Sequence, residues 1–214
     1  MDVDLTIQKL PRFKFQSQLK IRVKGNYERL LQLNPDDAAA HFNRGMALAN
    51  KGDWNSAIAE FRAGLRLNPN DAKAHYGLGF ALGKKGEVDG AIAEYREALR
   101  LNPNNEWAHT YLGFALGKKG DWDGEIAEEQ EALRINPKNA DAHRLLGGAL
   151  SKKGDWDGAI GQEREALLLD PNNELAHAIL GAALFSKKDW DGGIQEEREA
   201  PGVPSQAIYP FEVL

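Results

Sequence analysis

Residues 106–118, EWAHTYLGFALGK, place apolar and small side chains on two faces of a helix. One face carries His109, Leu112, Gly113 and Leu116. The other, roughly 130° round the axis at about 100° per residue, carries Trp107, Thr110, Phe114 and Gly117. The same two faces return in register along the chain. The second carries Ala39, Phe42 and Met46 in one copy and Lys73, Tyr76 and Phe80 in the next. Beyond Trp107 it carries Asp141, Arg144 and Gly148, then Leu175, Ala178 and Ala182. Prolines at 35, 69, 103, 137 and 171 and all five histidines, at 41, 75, 109, 143 and 177, step by 34 residues. A fixed period of this size marks stacked supersecondary units, none able to bury its own apolar face.

The pattern predicts five repeats over residues 38–200: 38–71, 72–105, 106–139, 140–173 and 174–200. Each holds two helices. The first begins behind an acid or amide suited to capping, such as Asp37, Asp71 or Asn105. It ends at Gly52, Gly86, Gly120 or Gly154, where glycine can take a positive φ. The second starts at once behind Asp53, Asp121, Asp155 or Asp189, and stops at the Leu-Asn-Pro element. The prediction is a series of antiparallel helix pairs.

In the second repeat Leu78-Gly79, Leu82, Ala91, Tyr95, Ala98 and Pro103 recur at set spacing; in the first, Gly45, Leu48, Ala57, Phe61 and Pro69 match them. This pattern resembles the tetratricopeptide repeat. The resemblance implies an all-α fold, a right-handed superhelical solenoid of antiparallel helix pairs. It also implies a concave groove lined by the first helices and used to bind protein segments. Departures from the family pattern are periodic too. Histidine fills the usual Trp slot in all five copies, Arg44 stands in place of a Leu, and Gly161 is gained. Glu129, Glu163 and Glu197 replace the bulky aromatic of the second helix, and Glu125 its small Ala, so the late second helices are expected to pack less tightly. The family's grip on chaperone tails uses Lys and Asn where this chain has Phe42, Met46, Tyr76 and Phe80, so that specificity is not carried over.

At the ends the period breaks down. Residues 18–37 match the second half of an earlier repeat through Val23, Tyr27 and Leu30, behind an irregular basic arm, 1–17, interrupted by Pro11. Residues 201–214, PGVPSQAIYPFEVL, form an irregular tail that covers exposed surface, or is a truncation scar with no designed role.

Composition narrows the function classes. The chain is 42% hydrophobic and 28% charged, with no apolar run long enough for a membrane span and no apolar signal core at its start. A cytoplasmic location is therefore the default expectation. Cysteine is absent, which removes disulfides, thiolate metal sites and thiol nucleophiles. The net charge of −5 is graded from +2 over residues 1–37 to −4 over 174–214. That gradient argues against general nucleic-acid binding and favours head-to-tail association or a dipolar partner. Residues 9–29 hold seven basic residues and one acid, interleaved with Phe13 and Phe15; the simplest role of this arm is to complement the acidic end.

Metal and catalytic chemistry find little support. Identical histidine slots on successive helices point the same way, whereas zinc needs ligands converging at ~2.0–2.1 Å. Glu129 near His143 and Glu163 near His177 are the expected partners of the late histidines. Glu128-Glu129 reads as a solvated carboxylate pair, and the Gly-x-Gly of YGLGFALG lies inside a helical pattern. No phosphate loop, dinucleotide fingerprint or nucleophile elbow appears. Neither cofactor nor metal is expected.

The groove face then becomes the candidate site: Phe42, Met46, Tyr76, Phe80, Trp107, Thr110, Phe114 and Arg144, with Lys84 and Lys118 at the rim. A contiguous aromatic strip on a concave face suits an interaction scaffold that anchors a hydrophobic or amphipathic partner segment, with Trp107 at its centre. The lysine pairs 84–85, 118–119 and 152–153 either steer acidic flanks or simply solvate the turns. The alternative is self-assembly, in which uncapped repeat ends or the tail join copies into a homo-oligomer, or the tail occupies its own groove.

Overall fold

A computed structural model of the chain describes residues 36–200, and these residues form ten α-helices without a strand. In order they are α1 (Ala38–Ala49), α2 (Trp54–Leu67), α3 (Ala72–Lys84), α4 (Val88–Leu101) and α5 (Glu106–Lys118). They continue as α6 (Trp122–Ile135), α7 (Ala140–Lys153), α8 (Trp156–Leu169), α9 (Glu174–Ser186) and α10 (Trp190–Glu199). The basic arm, all but the last two residues of the half-repeat, and the tail lie outside the described residues.

Each boundary has a local cause. Asp37, Asp71, Asn105, Asn139 and Asn173 cap the first helices by accepting backbone N–H groups of the first turn. Asp53, Asp121, Asp155 and Asp189 do the same for four second helices, whereas Glu87, ahead of α4, makes no such bond. The turn between paired helices needs a left-handed residue. Gly52, Gly86, Gly120 and Gly154 supply it with φ of 77° to 81°, and in the fifth pair Lys188 takes φ 66° instead. Asn68, Asn102, Asn136 and Asp170, each before a proline, leave the α region and end the second helices.

Every helix packs on its pair-mate, and each helix of the first four pairs packs also on the following first helix. First helices also touch the first helix of the next pair, whereas second helices do not touch one another among the described residues. Closer spacing of the first helices bends the stack, putting them on the inner, concave side. Packing centres on a repeated socket. Phe61 of α2 is fully buried against Gly45 and Gly77, and Tyr95 of α4 is buried against Gly79. A Cβ on Gly45 or Gly77 would lie 2.8 Å from the Phe61 ring, so only glycine admits the aromatic side chain.

Candidate functional site

The inner face of the first three pairs is largely filled by its own rings. Phe42 packs on Phe61 with ring centroids 6.0 Å apart. Tyr76 lies 6.1 Å from both Tyr95 and Tyr111, and Phe80 lies 5.2 Å from Tyr111 and 6.0 Å from Trp54. Phe42, Tyr76 and Phe80 are thus half-buried members of the helix packing. Thr110 departs from its expected groove role. It is buried, and its hydroxyl accepts from the Asn139 side-chain amide at 3.4 Å. Of the strip, Met46, Trp107 and Phe114 are exposed, at 37%, 45% and 42%.

The lysine pairs divide their work. Lys84 and Lys118 hold their ammonium groups over the Phe80 and Phe114 rings, 5.3 and 5.0 Å from the centroids. In the last three turns the lysine at one fixed place in the period reaches back to the preceding repeat: Lys119 to Asp89, Lys153 to Asp123, and Lys187 to Asp157 at 2.7 Å. These exposed pairs tie neighbouring turns together and contribute ~0–1 kcal/mol each.

From α5 onward the concave face opens into a cavity of about 960 Å³. Its walls come from the first helices α5, α7 and α9: Phe114, Gly117 and Lys118; Arg144, Leu145, Gly148, Ala149, Ser151 and Lys152; and Leu175, Ala178, Ile179, Ala182, Phe185 and Ser186. Trp122, Trp156 and Trp190, each the first residue of a second helix, close its rim. Small residues at Gly148, Ala178 and Ala182 make the space, because they stand where the earlier first helices carry Phe80, Tyr76 or Met46. Phe114, Lys118 and Arg144 of the candidate set line this cavity; Trp107 does not. The rim tryptophans were not singled out from sequence, although the recurring DWDG of 121–124, 155–158 and 189–192 is their signature.

Beneath the cavity lies a cluster of buried acids. Glu129 and Glu163 are fully buried, and Glu125, which lines the cavity, is nearly so. Glu129 and Glu163 occupy the sockets that take aromatics earlier, against Gly113 and Gly147, whereas Glu125 takes the place of the small Ala91 and lies against Gly117. The solvated Glu128-Glu129 pair is corrected accordingly: Glu129 points into the core and only Glu128 reaches the surface. Neither oxygen of Glu163, nor the Ser151 hydroxyl, has a hydrogen-bond partner. Burial pushes the Glu129 carboxyl up to about 10, with the Glu125 charge adding and Arg144 and the Thr110 hydroxyl opposing. Burial likewise raises Glu163 to about 9 and Glu125 to about 7, again against Arg144. At neutral pH Glu129 and Glu163 are therefore protonated, and Arg144, loosely paired with Asp141 at 3.7 Å, is the cation facing the acids.

The histidines pair differently from expectation. The partner of each is not the acid of a preceding second helix but the residue 19 positions on, in its own helix pair. His41, His75, His109 and His177 meet Glu60, Glu94, Glu128 and Glu196 at 2.6–2.7 Å through Nδ1, and His143 meets Gln162 at 2.8 Å. Antiparallel pairing brings these positions opposite one another, while Glu129 and Glu163 turn inward to the glycine sockets. For His75, His109, His143 and His177, Nε2 also lies within 2.9–3.1 Å of the carbonyl of the preceding proline. Burial acts downward on His109 and His177, but their glutamate and carbonyl partners outweigh it and raise both. Among the described residues no group of three or more His, Cys, Asp or Glu is arranged to hold a metal. No described helix is long and apolar enough to cross a membrane.

Comparison with known proteins agrees with this geometry. A family pattern described as TPR repeat matches residues 47–86 and 84–120. Patterns described as tetratricopeptide repeat match 26–59, 112–174 and 149–211. No curated protein matches the chain. Among solved structures, YrrB, described as a TPR protein with an unusual peptide-binding site, is 23% identical; the match covers 86% of this chain and 92% of that chain with a TM-score of 0.70. The MamA protein is 23% identical, over 83% of this chain and 97% of that one, TM-score 0.70. MamA from Desulfovibrio magneticus RS-1 is also 23% identical, over 77% and 93%, TM-score 0.71. These likenesses show the fold, an all-α right-handed superhelical solenoid of antiparallel helix pairs.

Proposed function

Because the chain belongs to the tetratricopeptide repeat family, we propose that it is a noncatalytic interaction scaffold that holds a hydrophobic or amphipathic segment of a partner protein on its concave face. The observation that carries this reading is the open apolar cavity between α5, α7 and α9, rimmed by three tryptophans. Apolar concavities with a few convergent polar groups are the usual shape of binding sites. Phe114 and the rim tryptophans are the anchors, Arg144 is the half-buried polar contact, and Lys118 and Lys152 attract acidic flanks. Trp107 and Met46, exposed but outside the cavity, extend the surface toward the N-terminal repeats. Phe42, Tyr76, Phe80 and Lys84 act mainly by shaping the wall, since their faces are already engaged. The peptide-binding site described for the similar YrrB structure supports the assignment.

The test is peptide-library selection on the purified chain followed by calorimetry with variants. Phe114→Ala or Trp156→Ala should weaken a selected peptide by ~2 kcal/mol or more, and Met46→Ala by much less. Unchanged affinity for Phe114→Ala with intact helicity removes the cavity from the reading. A larger loss for Trp107→Ala than for Phe114→Ala moves the site toward the N-terminal repeats.

The second reading, self-assembly through the repeat ends, is favoured by the last helix pair, where Trp190 and Ile194 are exposed. Sedimentation analysis tests it: a monomer across a wide concentration range ends it.

A further inference from the structure

We propose that the cavity's resident occupant is the chain's own segment 201–214, which folds back across α9 and α7 and competes with outside partners. The inference rests on the cavity's being a binding surface and adds who occupies it first. The observation behind it is the place where α10 delivers the chain. Ala200, the residue after that helix, is buried against Ala178 and Ala182, and both of these line the cavity. The last described residue therefore stands at the cavity wall.

Reach and chemistry fit. Fourteen residues extend to roughly 50 Å at most. Crossing from α9 to α5 spans two interhelix distances, roughly 20 Å. The far half of the segment, AIYPFEVL, holds Ile208, Tyr209, Phe211, Val213 and Leu214, enough apolar surface to cover exposed walls such as Phe114 and Leu175. Its only charged residue is Glu212, and the cavity presents Arg144, Lys118 and Lys152 to meet it. Prolines at 201, 204 and 210 oppose a helix, so the occupant lies extended, with part of its conformational entropy already removed. Tethering gives such a segment an effective concentration in the millimolar range, enough for a weak intrinsic contact to fill the site.

Photo-crosslinking in the full chain tests this. Phe211 is replaced by benzoylphenylalanine, the protein irradiated at high dilution, and the adducts mapped by mass spectrometry. Adducts within one chain on Phe114, Leu145 or Ile179 are expected. Adducts joining two chains make the occupant a second copy, and adducts away from the cavity place the segment elsewhere; either overturns the inference. A second measurement uses the full chain carrying Tyr209→Asp and Phe211→Asp, with a synthetic peptide of residues 201–214 as probe. The peptide should bind this variant at least ~10-fold more tightly than the unchanged chain, because the tethered competitor is disabled. Equal binding, or none, overturns self-occupancy. If library-selected peptides bind both proteins alike while the 201–214 peptide binds neither, the inference fails and the proposed function stands.

Discussion

The first two repeats and the third and fourth use the same socket for opposite purposes. Gly45, Gly77 and Gly79 accept Phe61 and Tyr95; Gly113 and Gly147 accept Glu129 and Glu163. An aromatic ring in that place stabilises the stack by ~1.5–3 kcal/mol. A neutral carboxyl without a hydrogen-bond partner, as at Glu163, costs ~1–3 kcal/mol there. The concave face changes over the same stretch: where the sockets hold aromatics, Tyr76, Phe80 and Tyr111 fill the space above them, and where they hold acids the face opens into the cavity. One backbone unit, repeated, thus yields a stabilised half and an accessible half, and the choice of side chain at two positions separates them.

The comparison breaks most visibly at Phe61. Phe61→Ala should cost ~3–5 kcal/mol. Amide hydrogen exchange read along α1 to α3 should locate the loss there, whereas Glu129→Ala should produce nothing similar along α5 to α7. Next in size, Glu129→Leu or Glu163→Leu should stabilise the late repeats by ~1–4 kcal/mol in denaturant unfolding. A loss would mean that the acids have partners that stabilise them. A pH series sharpens the contrast further. Burial raises both acids, so the native chain keeps protons that the unfolded chain gives up above about 4.5. Stability is then fullest below that value and falls as pH rises toward about 9 for Glu163 and about 10 for Glu129. The slope is at most ~1.4 kcal/mol per pH unit per group. The Glu129→Gln, Glu163→Gln double variant should flatten that decline between pH 5 and 8.

Smaller effects belong to the parts the two halves share. Glu128→Gln should cost ~1 kcal/mol and lower the His109 titration followed by NMR, because the Glu128 partner is part of what raises it. Lys153→Ala should change stability by no more than ~1 kcal/mol, and that only at low salt.

Much of the fold is legible in the sequence because its determinants are local. The capping acids and amides, the turn glycines and the residues before proline act within a few positions of themselves, and each helix boundary follows. The pairing of His with the residue 19 ahead depends on how two antiparallel helices face each other, which a face-by-face reading leaves open. The acids were harder. Glu129 stands one position from Glu128, and charge alone assigns both to solvent; the repeat register puts it in the aromatic slot, and the glycine opposite shows how far inside that slot lies. The cavity was hidden for a related reason. Trp122 and Trp156 follow the capping aspartates and read as boundary residues, whereas their rings close a space made by small residues on other helices. Trp107, conspicuous in sequence, is exposed but stands apart from that space.

The contacts within and between repeats recur at constant offsets: histidine to the residue 19 ahead inside its own pair, and, across repeats, histidine to the proline carbonyl 6 behind and lysine to the aspartate 30 behind. Offsets of this kind contain no reference to absolute position. Excising or duplicating one 34-residue unit at matching turn glycines would reconnect every such contact with an equivalent one. Length is therefore something this architecture can vary without inventing new joints, and selection on the number of units can proceed separately from selection on what fills each socket.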